Sequence, residues 1–290
     1  MRIKFVIIAL LFVLPLAAKK KQPVATIEPE REQQFSYYWY AAREAINDER
    51  YGDAFALLEF CRWIKPDDGT TLYQLGILHQ GLGHETQAKE CFELAYAAQP
   101  KGTANEGLLE QLKHIYINEG QWEKALQMQD EIDKRTEYDA YSALTRYRIY
   151  AMWNKPKEAI KEIDRYLDYD PTNLRFLLFR LELMEQIGAK QKERYAMYER
   201  VLKVDPYNLM VLNNYAYHLA THKGDLKEAE RMSAITIQQE PNNPVYLDTY
   251  GWILHLQGQD ELAKFYLNKA LWNAKDSEKA EITTHLNAIQ

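Results

Sequence analysis

Residues that break regular structure are scarce in this chain. Its 290 residues include 12 glycines and 10 prolines, too few for the closely spaced turns of a β-sandwich or barrel, so helices are expected. Cysteine is nearly absent. Cys61 and Cys91 cannot build a disulfide framework and lack the paired CxxC spacing of a zinc ribbon. An excess of positive charge is also missing: 36 basic residues stand against 42 acidic ones, a net charge of -6. The basic face that nucleic acid requires is therefore not available. Neither a GxSxG elbow, a GxxxxGK loop nor a GxGxxG stretch occurs, so no catalytic residue and no cofactor is assigned. His218 and His222 have the i, i+4 spacing of a metal pair. No Glu accompanies them and Asp225 lies past the turn, so no metal site is assigned to them either.

Long apolar runs are missing with one exception. Arg2 and Lys4 precede an apolar run from Phe5 to Leu16, followed by Ala17, Ala18 and three lysines. This order of charge, apolar run and small residues is that of an export signal. Its 12 residues fall short of the roughly 20 that a spanning helix needs. Residues 1–18 are expected to be a signal peptide, released from a periplasmic chain that has no spanning segment. No cysteine follows the run, so the exported form is not expected to be a lipoprotein. Residues 19–34, with Pro23 and Pro29, read as a polar tether.

What fills the rest is a repeat. Pro66, Pro100, Pro171, Pro206 and Pro241 are separated by 34, 71, 35 and 35 residues, and the 71 is two periods. Turn formers recur in phase at Gly52, Gly120, Asn154, Gly188, Gly224 and Gly258. Ala54, Ala88, Ala125, Ala159, Ala229 and Ala263 sit early in the helix after each turn, where a small side chain lets two helices approach. A period in this range, with one turn per unit, predicts stacked helical hairpins.

This pattern resembles the tetratricopeptide repeat, a 34-residue helical hairpin with small residues at positions 8, 20 and 27 and proline at 32. Leu72, Leu75, Gly76, Ala88, Phe92, Ala95 and Pro100 stand at its signature positions in one unit, and Leu247, Tyr250, Gly251, Ala263, Leu267 and Ala270 in another. The resemblance places seven repeats over 35–277, at 35–68, 69–102, 106–139, 140–173, 175–208, 209–243 and 244–277. Lys113, Tyr147 and Glu182 then take the small-residue position of three first helices. Residues 278–290 read as a capping helix, which repeat stacks require. The fold class implied is an all-α solenoid forming a right-handed superhelix. Residues 209–271 also resemble the paired C-terminal repeats of exported bacterial members.

In this family the first helices line a concave groove. Carried over by position, the resemblance puts Trp39, Arg43, Ile46, Asn47, Tyr73, Ile77 and Gln80 in the groove at one end. At the other end it puts Met210, Asn213, Tyr217, Asp248, Trp252 and His255, with Asn214 beside them. Of these, Trp39, Arg43, Tyr73, Asn213, Asn214, Tyr217, Asp248 and Trp252 are the expected partner contacts, with the main surface expected on the first helices of the sixth and seventh repeats, Trp252 as its anchor, and the Trp39, Arg43 and Tyr73 cluster as the next candidate. Indoles, phenols and amides suit an extended peptide, whose backbone the amides can pair. Position 5 of the successive repeats holds Trp39, Tyr73, Glu110, Leu144, Phe179, Asn213 and Asp248. With no lysine there, the carboxylate clamp of some family members is not expected. The implied function is an exported scaffold or adaptor that binds a peptide or protein partner, in assembly of an envelope complex. The alternatives are a self-associating structural subunit and a helical scaffold for an envelope enzyme.

Overall fold

The structure, a computed structural model, describes residues 28–289. The expected signal peptide and most of the tether lie outside the described residues. Fifteen α-helices and no strand are present among the described residues. The chain divides into two compact units, Met1–Ala104 and Asn105–Gln290. The first contains α1 (Pro29–Asn47), α2 (Tyr51–Ile64), α3 (Gly69–Gly81) and α4 (Glu85–Ala98). The second opens with α5 (Glu106–Asn118), α6 (Trp122–Asp133), α7 (Ala140–Met152) and α8 (Pro156–Tyr169). It continues with α9 (Leu174–Gln186), α10 (Gln191–Val204), α11 (Leu209–Thr221) and α12 (Leu226–Gln239). It closes with α13 (Pro244–Leu256), α14 (Asp260–Asn273) and α15 (Lys279–Ala288). Consecutive helices pair as hairpins, α1 with α2 through α13 with α14, and α15 packs on α14 and α13.

The helix starts explain the spacing. Asp68, Asn105, Asp139, Asn173, Asn208 and Asn243 cap α3, α5, α7, α9, α11 and α13, each accepting a hydrogen bond from a backbone N–H of the first turn. These side chains satisfy donors that have no partner inside the helix, so each hairpin begins at a fixed place. α1 starts differently. Pro29 sits in its first turn with Glu30 and Glu32, where the missing N–H costs nothing and the carboxylates face the positive helix end. Residues 29–34, expected as tether, are therefore helical.

Every hairpin turn contains one residue with positive φ. Four are glycines, Gly83, Gly120, Gly188 and Gly258, and three are Glu49, Asn154 and Lys223. Gly52 and Gly224, expected to make two of these turns, do not have this conformation. It falls instead on Glu49, at φ 59°, and Lys223, at φ 58°.

Close packing inside the hairpins follows from small residues. A Cβ on Gly76 would come within 2.5 Å of the Phe92 ring, and one on Gly251 within 2.8 Å of Leu267. Both pairs therefore depend on hydrogen at that position. Ala42 and Ala216 fill the same position elsewhere and are fully buried. In the middle hairpins the rule is met otherwise. Lys113 is 1% exposed and its Nζ donates to Gln129 at 2.8 Å and Glu110 at 2.7 Å. Gln129 in turn donates to Asp133, which also accepts from Ser142 and Arg146. A polar network thus replaces the small side chain between α5, α6 and α7. Glu182 is exposed and Leu181 is buried instead, because α9 starts at Leu174, one residue earlier than the expected repeat. The turn after it, 187–190, has four residues where most of the hairpins have three.

Cys61 and Cys91 are free and buried. Burial, with the charge of Asp68 adding to it, pushes the Cys61 thiol up to about 11, so both behave as small core residues.

Candidate functional site

In the first unit, Trp39, Arg43, Ile46 and Asn47 of α1 line a pocket of about 190 Å³ with Gln74 of α3. Residues four apart on a helix share a face, which is why Trp39, Arg43 and Asn47 converge. The indole of Trp39 is half-buried and lies parallel to Phe35, with ring centroids 6.4 Å apart. Arg43 is exposed at the rim. Tyr73, expected beside them, instead packs on Phe92 at 5.8 Å, between the helices of its own hairpin. Its neighbour Gln74 occupies the pocket, a residue that sequence reasoning missed by one position. A second, apolar pocket of about 560 Å³ is lined by Tyr51, Gly52 and Phe55 of α2 and Ile77, Leu78, Gly81 and Leu82 of α3. Tyr37, Tyr40, Phe60 and Trp63 add large exposed apolar surface to the same unit, with Tyr37 and Trp63 each 70% exposed.

The second unit places its expected residues differently. Asp248 on α13 is 6% exposed and its carboxylate meets Nδ1 of His285 on α15 at 2.9 and 3.0 Å. Trp252 stacks on the His285 ring, with centroids 4.4 Å apart. The Tyr217 hydroxyl of α11 donates to Glu281 of α15 at 3.3 Å. Burial and the Glu281 charge both raise the pKa of that phenol, which keeps it a donor. Tyr217, Asp248 and Trp252, expected to face an open groove, are thus the seat of the chain's own last helix. Asn213 is buried with its amide oxygen unpartnered, and Asn214 is half-buried.

His218 and His222 have ring centroids 5.5 Å apart. Nδ1 of His222 lies 3.1 Å from the backbone oxygen of His218, so that nitrogen is engaged by the helix itself. Burial, and then the charge of Arg194, lower the pKa of His218. Polar satisfaction within α11 accounts for the His222 orientation.

Repeated hairpins with a small residue at the crossing and a capped first helix form the structural unit. The tetratricopeptide repeat profile matches residues 70–101, the hairpin that holds Gly76, Ala88, Phe92 and Ala95. Residues 70–101 form a tetratricopeptide repeat, and the chain is similar to proteins of that family. Over 183 residues it is 27% identical to a TPR repeat-containing protein of Pseudomonas aeruginosa, covering 62% of this chain and 31% of that relative. The chain thus matches about a third of the length of that protein. Among solved structures, it resembles that of Naa15/Naa10 bound to HypK-THB with a TM-score of 0.64 and 13% identity, over 90% of this chain and 41% of that one. It also resembles the C-terminal part of a TPR repeat-containing protein from Cytophaga hutchinsonii, with a TM-score of 0.56 and 14% identity, over 85% of this chain and 98% of the other. These likenesses establish the all-α repeat fold. Proteins of this family generally act as protein-interaction scaffolds. No helix among the described residues is long and apolar enough to cross a membrane.

Proposed function

We propose that this repeat protein is a non-catalytic, exported scaffold that binds an extended segment of a protein partner on the first helices of its first two hairpins, in assembly of an envelope complex. The observation that supports this reading is the Trp39, Arg43, Asn47 and Gln74 pocket. A half-buried indole gives an apolar floor at little rotamer cost, the amides pair with a peptide backbone, and the exposed guanidinium attracts an acidic side chain. The partner is therefore a peptide segment carrying Asp or Glu. The row at Tyr217, Asp248 and Trp252 seats α15, so a partner reaching that end has to compete with it. Export rests on the order of Arg2, Lys4, the apolar run and the Ala17-Ala18 pair.

Photocrosslinking in living cells tests both parts. A photoreactive residue at Arg43 is expected to give a protein adduct in the envelope fraction, and the adduct's N-terminal peptide is expected to start near Lys19. A photoreactive residue at the half-buried Lys264 of α14 is expected to give none. Adducts at Lys264 but not at Arg43 would overturn the site, adducts only with a second copy would support self-association, and Met1 on the adduct would overturn cleavage.

A further inference from the structure

Beyond its hairpins, the second unit brings together three metal-ligating side chains that repeat packing does not call for. Glu281 and His285 are i, i+4 on α15 and so share one face of that helix. Asp248 comes from α13. One donor atom from each lies within 4.8 Å of the other two. His285 and Asp248 are each 9% exposed at the side chain, whereas Glu281 is exposed, which leaves an entry path from solvent.

Each donor is held in place by a neighbour. The Trp252 ring lies on the imidazole at 4.4 Å and sets its plane, and the Tyr217 hydroxyl donates to the Glu281 carboxylate. Fixed ligand orientation of this kind accompanies metal binding because it lowers the cost of ordering the site. Nδ1 of His285 lies 2.9 Å from Asp248 Oδ1, a hydrogen-bond separation. Two ligands about 2.0 to 2.1 Å from a tetrahedral zinc ion stand about 3.3 Å apart, so an ion would open this contact by only about 0.4 Å.

We propose that Asp248, Glu281 and His285 form a divalent transition-metal site, of zinc-like preference, that staples α15 to the last hairpin. The donor set selects the ion. One imidazole nitrogen with two carboxylate oxygens suits zinc, cobalt or nickel, whereas calcium and magnesium prefer all-oxygen shells. Three protein ligands leave a coordination position for water. The site lies wholly within the second unit and does not depend on where the partner binds.

Metal-stripped full-length protein, titrated with Co²⁺ and separately with Zn²⁺, tests this. Cobalt is expected to give visible absorption bands saturating at one ion per chain, and zinc to raise the melting temperature with micromolar affinity. Glu281→Gln changes an exposed residue and preserves the fold, as helical circular dichroism would verify, and is expected to weaken zinc binding at least tenfold. His285→Gln is expected to abolish the cobalt bands. Absence of cobalt bands and of a zinc-dependent melting shift in the unaltered protein would overturn the proposal. So would equal shifts in the unaltered protein and both variants, which would place the ion on other histidines such as His218 and His222.

Discussion

Arg146 shows how much a single side chain can hold in the middle of this molecule. It is 8% exposed and donates to Asp133 and Asp130, while Asp133 also accepts from Ser142 and Gln129. Burial pushes the Asp133 pKa up, but the hydrogen bonds from Ser142, Arg146 and Gln129 outweigh it and hold the carboxyl below its ordinary value. A carboxylate of this kind stabilises the fold above its unfolded pKa, near 3.9, and that contribution is lost as pH falls through the lower folded value. Removing the guanidinium leaves the carboxylate charged and poorly compensated. Arg146→Met is expected to cost about 3 kcal/mol at pH 7, where breaking a buried pair is most damaging. The cost is expected to shrink in acid, at a pH below the lowered folded pKa of Asp133, where the carboxyl is protonated. Urea unfolding of the two proteins at both pH values measures this, and an equal loss at both would remove Asp133 from the explanation. Lys113 belongs to the same network. Its place at a small-residue position was legible in the sequence, but the partners that make it tolerable, Gln129 and beyond it Asp133, lie 16 and 20 residues away and follow no repeat pattern.

At the scale of elements, the hairpins were legible because their period is written in turns and small residues. The helix boundaries were less so. Proline marks missed the third inter-hairpin loop, where Glu137 stands in the slot. The capping residues, Asp68, Asn105, Asp139, Asn173, Asn208 and Asn243, mark all six loops with gaps of 37, 34, 34, 35 and 35, and were the better signal. The turns misled for a physical reason. Gly52 and Gly224 lie near the turns, but the left-handed residues are Glu49 and Lys223, whose identity says nothing about positive φ. Such a residue costs about 1 to 2 kcal/mol relative to glycine, partly offset because glycine loses more entropy on folding. Lys223→Gly is therefore expected to stabilise the protein by roughly 0.5 to 1 kcal/mol, seen as a higher melting temperature. Lys227→Gly, in the first turn of α12, is expected to destabilise it by a similar amount. A lower melting temperature for Lys223→Gly would mean that the turn is not strained by its side chain.

For the whole molecule, the central claim is that partner recognition belongs to the first unit. The sequence pointed first to the last two repeats, with Trp252 as anchor, and only second to the Trp39, Arg43 and Tyr73 cluster, since indoles and phenols stand at groove positions in each. It could not show that α15 engages Tyr217, Asp248 and Trp252, because residues 278–290 carry the polar, weakly patterned look of a solvated cap, and His285 and Glu281 read there as surface residues. Nor could it separate Tyr73 from Gln74, which differ by one residue and about 100° around the helix. The decisive measurement is the affinity of the crosslinked partner for Trp39→Ala and Trp252→Ala, each verified as folded by circular dichroism. Trp39→Ala is expected to stay folded, melting somewhat lower because the indole packs on the first core cluster, and to weaken binding about 30-fold, the usual cost of truncating a central indole. Trp252→Ala is expected to bind as the unaltered protein does but to melt at lower temperature, because α15 loses its stacking contact. Wild-type affinity in folded Trp39→Ala together with lost binding in folded Trp252→Ala would contradict the account and move recognition to the last hairpins.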